Sequence, residues 1–230
     1  AFINSAINSN LAYRPEFVSN DYTQGKKVSV AIERELRHCD AFYISVAFIT
    51  EGGLAPLKQV LAELRDKGIP GKILTTSYLT FTEPKALKTL ANLSNVEVRV
   101  YDSTDEGASG FHTKGYIFKE EEIYRFIVGS SNMTASAFSV NKEWNTKLVS
   151  TSDGELLKQM MTEFNALWNS EHTLAVKDFI EDYEVRYKLI KEQKKKLEQQ
   201  AKNIRYMLLK SKWLIFKHIS YSRIKCRHDL

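Results

Sequence analysis

Apolar residues recur along this chain at two different periods, and the switches between them mark its elements. Val28, Ile32 and Leu36 are spaced by four and predict a helix over residues 26–38. Ala41 to Ile49 is almost continuously apolar, the pattern of a strand covered on both faces. Leu57, Val60, Leu61 and Leu64 form one stripe of a helix over residues 54–67, which Gly68 ends. Residues 71–76 and 96–101 read as strands. The helix between them, residues 83–93, carries Pro84 in its first turn. A loop rich in Asp, Ser and Gly follows over residues 102–110. Strands are then predicted over residues 114–118 and 123–128, joined by Lys119-Glu120-Glu121-Glu122 as a four-residue charged hairpin connection without the usual Gly. A further strand is expected over residues 142–150. A helix over residues 153–168 would place Leu156, Met160, Phe164 and Trp168 on one side. Strands alternating with helices imply an α/β architecture with a largely parallel sheet flanked by helices.

Past residue 170 the pattern changes. Val176, Phe179, Ile180, Tyr183, Tyr187 and Ile190 make a helical stripe, and the polar side turns lysine-rich at Lys191–Lys196. The expected organisation is therefore a globular domain over residues 1–170 and a helical, lysine-rich C-terminal extension over residues 171–230. Charge follows this division. The net charge is +5, but residues 183–230 hold 14 Lys and Arg against 4 Asp and Glu, a net of +10. Residues 1–182 hold 19 against 24, a net of −5. A basic arm on an acidic body suggests an anionic partner, with nucleic acid the usual one. A solvated helix with a lysine face fits the same numbers. Trp213-Leu214-Ile215-Phe216 lies among basic residues near the end of the chain. It reads as a membrane-surface or partner-binding amphipath, or as a segment without such a role. Cys39 and Cys226 lie far apart, so no disulfide framework is expected, and no Cys/His cluster has zinc spacing. No run of 18 apolar residues exists, and Ala1-Phe2-Ile3-Asn4 lacks the basic flank of a signal peptide. The expected location is the cytoplasm, away from membranes.

The candidate chemistry lies within a short stretch. His112-Thr113-Lys114 is followed by Gly129-Ser130-Ser131-Asn132 and then Glu143. A His and a Lys two apart on a strand face the same way. An imidazole and an ammonium facing one pocket suit a phosphate: the Lys neutralises its oxygens, and the His attacks phosphorus or moves a proton. Gly-Ser-Ser-Asn at a strand end adds backbone N–H groups, hydroxyls and an amide for the same anion. Taken singly, each residue has a plainer role. His112 could be a hydrogen-bonded strand residue, Lys114 a surface lysine, and Gly129–Asn132 a turn with a helix cap.

His-x-Lys followed by Gly-Ser-x-Asn resembles the phospholipase D superfamily. The likeness is close over Phe111–Glu143 and loose over residues 1–170. One departure is visible: the superfamily often carries an Asp five residues after the Lys, where this chain has Lys119. A single His-x-Lys resembles the small nuclease-like branch, in which two protomers pool one motif each. More narrowly, three stretches look like the phospholipase-D-like domain found ahead of bacterial superfamily 2 helicases. They are Ser45-Val46-Ala47-Phe48-Ile49-Thr50, Phe81-Thr82-Glu83-Pro84-Lys85-Ala86-Leu87 and Asn141-Lys142-Glu143-Trp144-Asn145. No Gly-x-x-x-x-Gly-Lys phosphate loop is present.

The resemblance implies a mixed α/β fold and a phosphodiesterase that cuts DNA without metal or cofactor. His112 would form a phosphohistidine, Lys114 and Asn132 would stabilise the charged oxygens, and Ser130 would assist. Glu143 would orient an imidazole, either in its own chain or in a partner. The implied partners are DNA, a second copy of the chain sharing one site, and a helicase or restriction system. Phe111, Phe138 and Trp144 are candidates for the surface between copies, and each could equally be core. Two other readings stand beside this one: a catalytically silent nucleic-acid-binding module and, more weakly, a phospholipase.

Overall fold

The computed structural model describes residues 10, 13–104 and 106–225, with the side chains of 209–225 outside the description. One eight-stranded sheet organises the chain. In chain order its strands are β1 (Glu16–Val18), β2 (Ala41–Val46), β3 (Gly71–Thr76), β4 (Val96–Tyr101), β5 (Lys114–Glu120), β6 (Ile123–Gly129), β7 (Asn145–Thr151) and β8 (Thr173–Ala175). Across the sheet the order is β1-β7-β6-β5-β2-β3-β4-β8.

The expected α/β class holds, and the sheet is mixed, but it is not largely parallel. Only β2–β3 and β3–β4 pair in parallel; the other five pairings are antiparallel. The reason is connection length. Two parallel pairs need helical crossovers, and α3 (Lys58–Asp66) and α4 (Pro84–Ala91) supply them. After β4 the loop over residues 102–113 carries the chain back to the far side of β2. From there β5 and β6 pair through a two-residue turn, which only antiparallel strands allow, and β7 returns antiparallel on β6 after a longer connection over residues 130–144.

Helices cover both faces. On one, α6 (Glu155–Trp168) buries Leu157 against Ile117 and Phe126, and stacks Phe164 and Trp168 near Tyr43, Leu74 and Tyr101. Its buried stripe runs through Leu157 rather than Leu156, which is half exposed. On the other face, α1 (Val28–Leu36) buries Val28, Ile32 and Leu36 as the spacing predicts. It also carries Glu35 to an ion-pair cluster with Lys147 of β7 and Arg125 of β6. Leu57, Val60, Leu61 and Leu64 are likewise buried, though they span a 3-10 turn (Ala55–Leu57) and α3 instead of one helix. Gly68 adopts the left-handed φ of +68° that ends α3.

The β5–β6 connection is tighter than the sequence suggests. Both strands run to its edge, leaving Glu121 and Glu122 as a two-residue turn. Glu121 takes a positive φ of 51° without being Gly. Its N–H donates to the Asp40 carboxylate at 2.7 Å, and the Asp40 N–H donates to the Lys119 carbonyl at 2.7 Å. Asp40 therefore closes this turn from the neighbouring chain segment, at the place where Lys119 departs from the superfamily pattern.

Four short elements escape the periodicity: β1, α2 (Glu51–Leu54), α5 (Ala135–Ser139) and β8. Each is too brief to show a period. The final helix, α7, runs from Val176 to Lys225. The compact unit extends to Glu184, past the residue-170 boundary drawn from the sequence. Val176, Phe179 and Tyr183 are buried in it, and the Tyr183 hydroxyl donates to the Thr82 carbonyl at 2.8 Å. Val185–Leu230 forms a second unit. Among the described residues, no helix is long and apolar enough to cross a membrane. The start of the chain, Cys226 and the side chains of Trp213–Phe216 lie outside the described residues. Cys39 fills core space ahead of β2, and burial pushes its thiol up to about 12.

A chain ending at Glu184 is expected to keep the denaturant midpoint of the full chain. One ending at Ala175 loses three buried apolar side chains, each contributing about 1.5–3 kcal/mol. Its unfolding free energy in a urea titration is expected to drop by roughly 4 kcal/mol or more.

Candidate active site

The start of β5, the end of β6 and the start of β7 meet at one end of the sheet, as the registers Gly115↔Val128 and Gly129↔Asn145 require. Every predicted site residue lies at that end. His112 immediately precedes β5, in extended chain that still pairs, since the Ala47 N–H donates to the Thr113 carbonyl at 3.0 Å. The expected common facing of His112 and Lys114 is observed. The Lys114 ammonium lies 2.9 Å from Nδ1 of His112 and 3.0 Å from the His112 carbonyl oxygen. The imidazole itself is exposed. Thr113, between them, points the other way and shares a hydrogen bond of 2.5 Å with Ser45.

Gly129 ends β6 where no side chain fits: a Cβ there would lie 2.2 Å from the Trp144 carbonyl oxygen. The close approach brings Ser130 to the strand opposite. Its N–H donates to the Trp144 carbonyl at 3.1 Å, and its Oγ accepts from the Trp144 N–H at 3.1 Å while donating to the Glu143 carboxylate. Ser131 is fully buried. Asn132 accepts the Phe48 N–H at its Oδ1, 3.1 Å away. That acceptor role fixes the amide's orientation and leaves its NH2 end as the donor. Asn132, Glu143, Phe48 and Phe81 line one cleft.

The electrostatics follow from burial. Partial burial pulls the Lys114 ammonium below the usual lysine range, and the Glu143 carboxylate opposes this. Complete burial pushes the Tyr116 hydroxyl well above its ordinary value, with the Glu143 charge adding to it. Tyr116 stays a neutral donor and holds the Ser131 carbonyl at 3.0 Å. The result is an exposed imidazole with an ammonium beside it, and a hydroxyl fixed by a carboxylate two residues ahead of β7.

A family model described as "Cardiolipin synthase, PLD-like domain" matches residues 38–168, more than half of the chain. The chain belongs to the phospholipase D-like family. Its structure is similar to that of Nuc from Salmonella typhimurium, a phospholipase D family member. There the TM-score is 0.53 at 16% identity, covering 70% of this chain and 98% of that one. NucT from Helicobacter pylori gives a TM-score of 0.54 at 15% identity, covering 71% and 99%. A phosphatidylserine synthase from Haemophilus influenzae gives 0.52 at 15% identity, covering 81% of this chain and 46% of that one. At such identities the likeness is one of fold. A comparison with curated protein sequences finds no match.

Within this phospholipase D-like domain the five predicted residues fall into two hydrogen-bonded pairs and a lone amide. Lys114 is on His112, Glu143 is on Ser130, and Asn132 is on the backbone of Phe48. Within one chain Glu143 meets Ser130 and not His112, which leaves a partner's imidazole as the one it would orient on the sequence reading. Of the three side chains considered for an intermolecular surface, Phe111 and Phe138 are core, at 3% and 1% exposure. Trp144 is 76% exposed and lies edge-on to the exposed Phe17, with ring centroids 6.1 Å apart. Two supporting residues were missed. Asn145 is buried, takes the Ser131 N–H at 3.2 Å, and donates to the Ser131 Oγ and the Val18 carbonyl. Tyr116 buries its ring beneath the Ser131 peptide. A polar residue opening a strand was the available signal for Asn145; Tyr116 reads only as a strand aromatic.

Glu143→Gln removes the charge that raises the Lys114 pKa, so the pKa falls further. Followed by NMR of the Lys114 side chain, titration is expected below the usual 10.5 in the parent protein. In Glu143→Gln it is expected at a still lower pH.

Proposed function

We propose that this protein is a phosphodiesterase that hydrolyses DNA through a covalent phosphohistidine. The observation that carries the reading is the Lys114 ammonium 2.9 Å from Nδ1 of an exposed His112, at the same sheet end as Ser130 and Asn132. An incoming phosphate oxygen takes the ammonium in place of the ring. This frees a nitrogen lone pair for attack beside a cation that stabilises the developing charge. In the first step the His112–phosphorus bond forms and the bond to the leaving oxygen breaks. That oxygen takes a proton from a second imidazole. In the second step water, deprotonated by the same imidazole, attacks phosphorus and releases His112. The Asn132 amide assists Lys114 at the non-bridging oxygens. Ser130, held by Glu143, adds a hydroxyl to the same anion. The nucleophile and the charge stabilisers are all side chains, and the scheme calls on no metal.

The second imidazole is assigned to another copy of the chain. The simplest arrangement is a two-fold dimer with the phosphate on its axis, the commonest symmetry of homo-oligomers. The exposed Trp144–Phe17 pair adjoining Glu143 supports a contact surface beside the site. The narrower resemblance over Ser45–Thr50, residues 81–87 and residues 141–145 supports work alongside a helicase or restriction partner.

DNA cleavage is expected to persist in excess EDTA. It should fall by roughly a thousandfold or more in His112→Ala, and mixed dimers with one intact His112 should be severely impaired. Activity lost with EDTA and restored by Mg²⁺ overturns the mechanism. Binding without cleavage under any condition points instead to the silent binding module.

The net +10 of residues 183–230 gives the second expectation. Removing residues 185–230 should weaken DNA binding and flatten its salt dependence, by about 0.9 in the log–log slope for each phosphate the helix no longer neutralises. An unchanged slope would show the basic helix to be merely solvated.

A further inference from the structure

We propose that Phe48 and Phe81 form a stacking shelf for the nucleobase next to the scissile phosphate, an inference that rests on the nuclease reading above. The Phe48 ring lies edge-on to His112, with centroids 6.0 Å apart, and Phe81 lies edge-on to Phe48 at 4.9 Å. The shelf therefore begins one ring away from the nucleophile. Phe81 is 49% exposed, and its neighbours Tyr78 and Leu79 are 41% and 53% exposed. Three large side chains are thus part-exposed together on one loop beside the cleft.

The backbone adds a second observation. Leu79 and Thr80 both take a φ of +53°, the left-handed region that residues other than Gly rarely enter. Such strain persists only where the surroundings over-determine it, and it gathers at ligand-binding segments. Here the surroundings are visible on both sides. Before the loop, Ser77 is buried and donates to the Asp102 carboxylate at 2.7 Å. After it, Thr82 is fully buried and donates to the Thr76 carbonyl at 3.0 Å, while its own carbonyl accepts from Tyr183. Residues 78–81 are thus held out from two fixed points, and their display is built in rather than frayed.

The chemistry of the cleft selects a base over an acyl chain. Beside the two rings it is lined by the Glu83 and Glu143 carboxylates and by the amides of Asn132 and Asn141. A nucleobase has an apolar face for the rings and a polar edge for these groups, and stacking tolerates any base. A hydrocarbon chain would offer no acceptor to the NH2 of Asn132, whose Oδ1 is already taken by the Phe48 N–H.

The test uses full-length protein, with oligonucleotides differing only in an abasic nucleotide flanking the cleavable phosphate. In the parent protein the abasic site should raise KM about 10-fold, as should Phe81→Ala on the intact oligonucleotide. The two penalties should not multiply when combined, and Phe81→Trp should restore the parent KM. 2-Aminopurine at the flanking position should be quenched on binding to the parent protein and less so to Phe81→Ala. Multiplying penalties, or equal quenching in both proteins, overturns the shelf. If the parent protein cleaves none of these DNAs, the nuclease reading fails, yet the quenching measurement still decides the shelf because it needs no turnover. Absence of any DNA binding sinks both.

Discussion

The buried amide of Asn145 ties together the segments that carry the site. One side chain takes the Ser131 N–H and donates to the Ser131 hydroxyl and to the carbonyl of Val18 in β1. Removing it would take from the buried Ser131 N–H its acceptor, and leaving a buried donor unsatisfied costs more than an ordinary hydrogen bond contributes. Gly129 completes the constraint, since only a residue without a Cβ lets β6 pass so close to the Trp144 carbonyl. Backbone contacts, rather than their own packing, therefore fix where Ser130 and Asn132 emerge. That is how a site on connecting segments attains the precision of one built on strands.

Charge at this end of the sheet is a three-way balance. Glu143 is 7% exposed, and the Ser130 hydroxyl offsets part of its lost hydration. Its charge acts in opposite senses on two neighbours. It supports the ammonium of Lys114 against desolvation, and it disfavours ionisation of Tyr116. Both effects preserve what an anion site needs, a cation at its mouth and a neutral donor beneath it. On the proposed reading, a carboxylate so near the phosphate is tolerable because it is engaged by Ser130.

How much of this was legible in the sequence depended on whether the information was local. Val28, Ile32 and Leu36 declared α1, and residues 71–76 and 96–101 declared β3 and β4 to the residue. The motif residues marked a candidate site because their chemistry is unusual in combination, and the fold brings them to one sheet end. Strand direction was harder to see. The strand–helix alternation before residue 101 was extended to the whole sheet, although the charged turn after residue 118 already read as a hairpin and so as an antiparallel pair. Asp40 stabilises that turn from a distant position, and no local pattern announces it. The same holds for Glu143, whose partner Ser130 is set by strand register. It holds too for Phe111 and Phe138, where only the fold separates core from surface.

The division of charge between the two units bears on how capture and chemistry are related. The body is net negative and the C-terminal unit strongly positive. At physiological ionic strength, exposed charges more than about 8–10 Å apart scarcely feel one another. Charges spread along many residues therefore do not sum into one field beyond that distance. They act where they touch a polyanion. On the nuclease reading, the basic unit therefore acts by covalent tethering, raising the effective concentration of DNA around the body it is joined to. The acidic body then needs no favourable long-range field, because the few positive groups at its sheet end meet a phosphate already delivered. The salt-dependent share of affinity and the catalysis would reside in different parts of the chain, and each could change with little effect on the other.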